Sequence, residues 1–592
     1  MPSYTPPIKD FLFLFYEVFK IDRTNIPGFS ELNEDLVKPI LIEAGKLASE
    51  VLSPLNTIGD TQGCKLENGT VRTPDGFKEA FKALCDAEWP GLNCENKYDG
   101  QGLPLTVTTS VGEIFASANI ALFIYQALTH GVYSTILMHG SEEQKNAYLP
   151  KIVKCEWTGT MNLTEPQCGT DLNLIKTKAI PNGDGSFKIT GQKIFISAGD
   201  HDLAENIIHL VLAKIPGSPD GVKGISLFIV PKFLVEKDGT LGQRNSLSVG
   251  KLEKKMGIHG NATCVMNYDE AHGFLLGEEN KGLRAMFTMM NEARLGVGIQ
   301  GLSQAEIAYQ NAKEYAKQRL QGIAISNRKL SQKETDPIIV HPDIRRMLME
   351  QKSFIESARA FCIWSSLLID RGVLLKDGDA SSLATLLVPV VKAFLSDKGF
   401  EATINAQQIF GGHGYIEDYG MTQFARDARI AMIYEGANGI QAIDLVGRKL
   451  LIDGGKHVVG LVKLIDNFII ENKANEKLNT DFLSPLKSSL EDLKKALDYF
   501  MENGLKDPNS ALTGATDFLH LFGHLILGFM WSHMAKVSFE KIEDSNSDMT
   551  FFKTKLTTGK FYMRYTLPET AMRLARIRCE QKLFMELDQE LF

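Results

Sequence analysis

The chain has 592 residues, 44% of them hydrophobic and 23% charged, and a net charge of −8. That is the composition of an ordinary globular protein of about three or four domains, long enough to bury several cores, and it lacks the dense basic tract that nucleic acid would call for. Eight cysteines lie scattered without a Cys-x-x-Cys pair, which argues against a zinc ribbon and a disulfide framework.

The N-terminal MPSYTPPIKDFLFLFYEVFK has no basic n-region and is interrupted by Glu17, so it does not read as a signal peptide. No run reads as long enough for a membrane span. The nearest, 518–531, is short and carries His520 and His524. A cytoplasmic protein with no membrane span is expected.

Residues 31–52 and 108–140 have helical periodicity, and the first 150 residues read as mostly helical. From about 158 short β-rich runs take over, with PNGDGS (181–186) as a hairpin signal between two of them. Helical texture returns at GLRAMFTMMNEARLG and holds to about 450. There Asn438 reads as an N-cap and Gln441 as the partner of a capping box. Glu435 is thereby expected in a short non-helical segment before a helix. Further on, residues 484–504 predict a helix with Ser484 as cap, Pro485 in the first turn and Gly504 at the end. Leu486, Leu490, Leu493, Leu497 and Phe500 form its apolar stripe. The expected domains are 1–157, helical; 158–278, β; 279–455, a helical bundle; and 456–592, an additional helical domain.

Two motifs look chemical and are read as structural. GVGIQG (296–301) matches a dinucleotide fingerprint, but that needs a preceding strand, and both flanks here are helical. Gly298 and Gly301 instead suit close helix packing. His520 and His524 have the i, i+4 spacing of metal ligands but no evident third ligand, so no metal is expected.

Four segments place small, hydroxyl or amide residues beside tight turns. MNLTEPQCGTDL (161–172) turns at Pro166 and presents backbone N–H groups. In KIFISAG (193–199), alternation puts Lys193, Phe195 and Ser197 on one strand face and Ile194 and Ile196 on the other. QQIFGGHGY (407–415) has three glycines that permit close backbone approach. MIYEGANGIQ (432–441) holds Glu435.

In that order, together with RDAR, KMGIHGNATC and SEEQKNAYLPKIV, these segments resemble the acyl-CoA dehydrogenases over roughly residues 35 to 450. The N-terminal segment and the helical tail resemble an extended-tail subgroup of that family. The resemblance implies a mainly α fold with a helical N-terminal domain, a β-barrel-like middle domain and a C-terminal helical bundle, plus the extra helices. It implies noncovalent FAD. Leu163 and Thr164 match positions that hydrogen-bond the flavin ring, and Gly169 and Thr170 continue the loop, Thr170 also toward substrate. Phe195, Ile196 and Ser197 match a Trp-Ile-Thr segment lying on the ring, and Phe in place of Trp forgoes an N–H donor. Arg319 matches a contact to the FAD pyrophosphate of a neighbouring subunit, although the Phe-Gly pattern that follows it in the family is not matched. Gln408, Gly411 and Gly412 match the loop for the adenosine half. Ala437 to Gly439 replace a Thr-x-Gln segment, which leaves only backbone contacts.

Asn291, Arg294, Tyr434 and Gly436 match substrate positions. Asn291 stands where the family has Asp, and its spacing from Arg294 places the two on one helix face. Glu435 matches the base that takes the α proton. A minority of the family carries the base at the position of Ala293 here. Glu292, one residue earlier, is turned about 100° away. The expected reaction is α,β-dehydrogenation to a trans-2-enoyl-CoA of 3-methylmercaptopropionyl-CoA or another short acyl-CoA. An electron-transfer flavoprotein would take the electrons, and a dimer or tetramer is expected. The alternatives are an acyl-CoA oxidase, a dehydrogenase of short, medium or long fatty acyl chains, and a non-catalytic acyl-CoA-binding paralogue.

Overall fold

A computed structural model describes residues 2–236, 238–325, 334–504, 506–544, 548–580 and 582–592. They form two compact units. One comprises 46–104 and 114–296, the other 1–45, 105–113 and 297–592.

The first unit holds the β texture. Its sheet contains β1 (Trp157–Asn162), β2 (Lys178–Pro181), β3 (Ser186–Ser197), β4 (Asn206–Lys214), β5 (Ile225–Pro231), β6 (Leu247–Leu252) and β7 (Thr263–Leu275). The strands run β6-β7-β3-β2-β4-β1, and β5 pairs with both β7 and β4. The ring β7-β3-β2-β4-β5 therefore closes on itself, which leaves few free edges, as in a small barrel. The expected hairpin at 181–186 is present. Asn182 N–H donates to the Ser186 carbonyl (2.9 Å), and Gly183 and Gly185 take φ of +88° and +93°. Helix α1 (Ile120–His139) and residues up to 296 of α2 (Gly282–Gln318) belong to the same unit. Val132, Ile136, Met286 and Met289 share a core with Trp157, Leu210 and Leu227.

The 108–140 periodicity resolves into two helices, broken at Asn119. Its side chain accepts from Leu122 N–H (3.1 Å) and caps the second helix. The helical reading of the first 150 residues passes over one hairpin, Lys65–Glu67 with Thr70–Arg72. Asn68 and Gly69 turn it at φ +51° and +75°, as an Asn-Gly pair does in a two-residue turn.

The second unit is helical: α3 (Pro342–Leu374), α4 (Gly378–Ile409), α5 (Asn438–Asp444), α6 (Ser484–Asn503) and α7 (Pro508–Ile542) are its main elements here. Gly298 and Gly301 let α2 approach α4 closely. A Cβ on Gly298 would lie 2.5 Å from Val391 Cγ1, and one on Gly301 2.5 Å from the Leu395 carbonyl oxygen. The leucine stripe of α6 is buried at Leu486, Leu490 and Leu493. Ser484 does not cap it. A wide, π-type helical turn over Asn479–Leu483 runs straight into the helix, so the Ser484 N–H is already inside a helical run.

Among the described residues three helices, α1, α4 and α7, are each long and apolar enough to cross a membrane, contrary to the expectation that no run reaches that length. Their apolar windows are 61, 61 and 94% buried inside the protein. Hydropathy by itself does not distinguish a buried core helix from a span.

A charged cluster sits in this unit's core. Arg359 bonds Glu113 (2.6 Å), Asp10 (2.6 Å) and Glu306 (2.5 Å), and Lys555 bonds Asp10 and, at 2.9 Å, Glu356. Burial pushes Glu113 from 4.5 up to about 7, against the pull of Arg359. Between those values the unfolded chain has released the proton and the folded chain has kept it. Stability from this group therefore falls as pH rises from 4.5 to 7, by at most about 3 kcal/mol at 1.36 kcal/mol per unit. The melting temperature of Glu113→Gln is expected to decline less than that of the parent between pH 5 and 8. Parallel profiles from a thermal-denaturation series would refute this.

Candidate active site

In the first unit, the turn after β1 is tied to the end of β3. Glu165 and Cys168 exchange backbone hydrogen bonds (2.9 and 3.0 Å) around Pro166 and Gln167, and Ile194 N–H donates to the Thr164 carbonyl (2.9 Å). The fully buried Lys193 donates to the Leu163 carbonyl (3.0 Å) and to Glu165 (2.9 Å). Glu165 also accepts from the Thr177 hydroxyl (2.6 Å) and from Lys176 N–H (2.7 Å). Burial alone would raise this carboxyl, but Lys193, Thr177 and Lys176 outweigh it and hold it at about 2.

The even alternation expected for 193–197 does not hold. From Lys193, opposite Met266, to Ile196, opposite Cys264, β3 advances three residues while β7 advances two. This bulge shifts the phase of the strand. Lys193 points into the core, Ile196 is 2% exposed, and Phe195 stands 61% exposed at φ +59°. A non-glycine residue in that region costs about 1–3 kcal/mol and is kept where function asks for it. Beside the Leu163–Thr164 turn, an outward flat ring suits a planar cofactor. Ser197 accepts at its carbonyl from the Thr160 hydroxyl (2.7 Å). Gly169 and Thr170 are exposed.

On α2, Arg294 is buried with its guanidinium 5.9 Å from the Phe287 ring, while Asn291 is exposed. The shared face expected from their spacing is thus divided between interior and solvent. Glu292 turns onto α1, where it bonds His130 and, at 2.8 Å, Ser134. Burial would raise it, but those partners outweigh burial and lower it.

In the second unit, Glu435 lies in the bend before α5, as the sequence predicts. It is half-buried at φ +56°, followed by Gly436 at φ +84°. The fully buried Gln441 donates to the carbonyls of Glu435 (3.2 Å) and Gly436 (3.1 Å). Tyr434 donates its hydroxyl to Gln300 Oε1. Burial, then the nearby Glu435, raises that hydroxyl well above its ordinary value and keeps it a donor.

The capping box does not form. Ala437 occupies the N-cap position without a side-chain bond. Asn438 instead turns onto α4: its Oδ1 accepts from Lys392 (2.7 Å), and its Nδ2 donates to Asp397 (2.7 Å) and Ser396 (3.0 Å). Gly439 is exposed, and a Cβ there would meet nothing.

The same unit brings Arg319 and the glycine loop after α4 together through Tyr315. The Tyr315 ring stacks on Phe410 at 4.0 Å, and its hydroxyl pairs with His413 Nδ1 (2.8 Å). Arg319, Gln408, Gly411 and Gly412 are exposed, and a Cβ on either glycine would meet nothing. The glycines are therefore not required by this chain's own packing. An exposed guanidinium and open backbone suit a pyrophosphate and the group beyond it.

His520 and His524 each face a different side chain. His520 Nε2 bonds Asp397 (2.9 Å) and His524 Nδ1 the Tyr562 hydroxyl (3.2 Å). Among the described residues no group of three or more metal-ligating side chains occurs. Gln300 and Glu165 have no role in the sequence reading, and Gln441 and Lys193 enter it only as a capping-box partner and a strand-face residue. Gln300 lies inside the GVGIQG motif, and the other three act through partners distant in sequence or through backbone carbonyls, which leave no local pattern.

Four profiles match the chain in order. They are acyl-CoA dehydrogenase N-terminal domain at 66–156, middle domain at 160–271 and C-terminal domain at 280–451, then acetyl-CoA dehydrogenase C-terminal like at 461–588. The chain belongs to the acyl-CoA dehydrogenase family. It is 39% identical over 580 residues to the 3-methylmercaptopropionyl-CoA dehydrogenase of Ruegeria pomeroyi, covering 97% of this chain and 98% of that one. It is 31% identical to a broad-specificity linear acyl-CoA dehydrogenase of Mycobacterium tuberculosis across the whole of both chains. The crystal structure of a Bacillus anthracis acyl-CoA dehydrogenase complexed with FAD shares the fold, with a TM-score of 0.72 and 21% identity over 96% of this chain and 91% of that one. The chain is thus an FAD-dependent acyl-CoA dehydrogenase with the family's helical, β and helical domains and an extra set of C-terminal helices. Acyl-CoA substrates and an electron-transfer flavoprotein are typical of this family.

Proposed function

We propose that this acyl-CoA dehydrogenase acts on a short acyl thioester, 3-methylmercaptopropionyl-CoA foremost, with Glu435 as base. The four-part division 1–157, 158–278, 279–455 and 456–592 is part of the proposal. So are a homo-oligomeric, cytoplasmic enzyme and an electron-transfer flavoprotein as acceptor. The observation that carries the chemistry is a carboxylate-bearing residue on a strained stretch of backbone. Glu435 is held in a left-handed conformation before Gly436, with its backbone fixed by Gln441. What supports the substrate is that the 39% identity runs through the tail as well as the catalytic domains.

FAD, when bound, supplies the acceptor for the β hydride. Leu163, Thr164, Gly169, Thr170, Phe195, Ile196 and Ser197 would hold its ring. Ala437 and Gly439 would add backbone contacts to the cofactor, and Arg319, Gln408, Gly411 and Gly412 would meet the pyrophosphate and adenosine half of a neighbouring subunit's FAD. Glu435 takes the α proton onto its carboxylate. Enolate charge grows on the thioester carbonyl, and a backbone N–H of the Glu435 segment is the donor suited to it. Tyr434 and Gly436 shape the pocket around the acyl group. Arg294 and Asn291 lie toward the CoA moiety.

The test is a panel of acyl-CoAs assayed with an artificial electron acceptor. The methylthio substrate and butyryl-CoA are expected to give the highest kcat/KM. Palmitoyl-CoA should be at least about tenfold poorer, since one misfitting methylene is worth roughly 10–200-fold. A palmitoyl optimum would overturn the substrate assignment.

A further inference from the structure

The helix α7 belongs to the C-terminal extension, and one of its histidines reaches the active-site bend through two side chains. His520, 6% exposed, bonds Asp397 Oδ2 on α4 through Nε2 (2.9 Å). The other oxygen, Oδ1, accepts from Asn438 Nδ2 (2.7 Å). Asn438 opens α5 three residues after Glu435. Its amide is oriented unambiguously, because Oδ1 faces the Lys392 ammonium (2.7 Å) and Nδ2 faces the carboxylate. A flipped amide would set a donor against an ammonium and an acceptor against a carboxylate.

We propose that His520 is a positioning residue for the reaction. By holding Asp397, it locks Asn438 on α4 and thereby fixes the bend that carries Glu435. The inference rests on the reading of Glu435 as base. Local backbone preference does not hold Glu435 and Gly436 at φ +56° and +84°, so the bend depends on anchors on either side. Gln441 supplies the anchor on the carbonyls, and Asn438 supplies the one on α4. Each Asp397 oxygen carries one of the two bonds that matter. Loss of the histidine leaves a half-satisfied carboxylate that can rotate, and Asn438, still held by Lys392, Ser396 and the Ala393 carbonyl, loses its charged acceptor and loosens rather than detaches. The ring also packs edge-on to Phe394, 5.5 Å between centroids, so a purely steric role is the competing account.

Two substitutions in the full-length, FAD-loaded enzyme separate these accounts. His520→Phe keeps a ring against Phe394 but removes the donor. His520→Gln keeps an N–H at the position of Nε2 but gives up the ring. The readout is the limiting rate of flavin reduction after anaerobic rapid mixing with substrate, alongside KM and flavin content. The Phe variant is expected to lose roughly tenfold in rate with little change in KM, within the ~100-fold that a 1 Å misplacement can cost. The Gln variant should return to within about threefold of the parent. Asp397→Asn, which is isosteric but turns both charge-assisted bonds into neutral ones, should lose rate in the same direction as His520→Phe, though by less. A parent-like rate for His520→Phe or Asp397→Asn overturns the relay, as does rescue by Phe but not by Gln. Glu435→Gln is run alongside. If it bleaches at the parent rate, the base lies elsewhere and the relay falls with it. If it is inert while His520→Phe is parent-like, only the relay falls.

Discussion

Glu435→Gln is expected to yield a folded, yellow protein that still binds CoA thioesters but whose flavin is not bleached by substrate. Glutamine nearly matches glutamate in shape. The bend around it is held by groups that the substitution leaves in place, namely Gln441 on the carbonyls of 435 and 436 and Asn438 on Lys392 and Asp397. The left-handed conformation at residue 435 is as accessible to Gln as to Glu, so no new strain enters. What is lost is the ability to accept a proton. A positioned general base contributes about 10²–10⁴-fold, and the weak acidity of a thioester α carbon places the loss at the upper end of that range or beyond it. Absorbance of the flavin band after rapid anaerobic mixing decides the matter. Reduction at near the parent rate would return Glu435 to the status of an ordinary turn residue.

What was legible in the sequence is what local pattern determines. The Pro-Asn-Gly-Asp-Gly hairpin, the leucine stripe of α6 and the packing role of Gly298 and Gly301 follow from turn chemistry and periodicity. The motifs around 161–172, 193–199, 407–415 and 432–441 were visible as one ordered set. The failures have a common cause. Asn438 and Gln441 have capping-box spacing, yet Lys392 and Asp397 are stronger partners for Asn438 than its own helix end, and Gln441 is needed on the carbonyls before it. The bulge in β3 turns Phe195 outward because β3 carries one residue more than β7 between their matched pairs. Strict alternation cannot foresee an inserted residue. The sequence also shows no sign that His520 meets Asp397, 123 positions away. The Asn68-Gly69 hairpin carries a local turn signal, yet the mostly helical reading of the first 150 residues passes over it.

Deleting the residues after about 460 is expected to give insoluble or misassembled protein. The loss is one of folding rather than of chemistry. Helix α7 is buried over 94% of its apolar window. It meets α4 where a Cβ on Gly523 would lie 2.3 Å from the Phe394 ring. It meets α3 through Trp531, whose indole N–H donates to the Ser353 carbonyl (3.0 Å). Exposing a buried aromatic or aliphatic side chain costs about 1.5–3 kcal/mol. The deletion removes Phe518, Leu519, Phe522, Leu525, Phe529 and Trp531, all buried, and so uncovers the side chains of α3 and α4 that pack against this helix, among them Trp364 and Phe394. The deletion also removes Lys555 from Asp10 and Glu356. Burial alone would raise Asp10, and Lys555 and then Arg359 bring it down to about 2. Taking away one partner of a buried pair costs roughly 3–5 kcal/mol. Together these losses are comparable to the 5–15 kcal/mol that hold a typical domain folded. Expression of the truncated chain followed by sedimentation and size-exclusion chromatography checks this. A soluble, flavin-loaded and fully active truncation would show that the core domains stand without the extension, and that the contacts of α7 with α3 and α4 are dispensable.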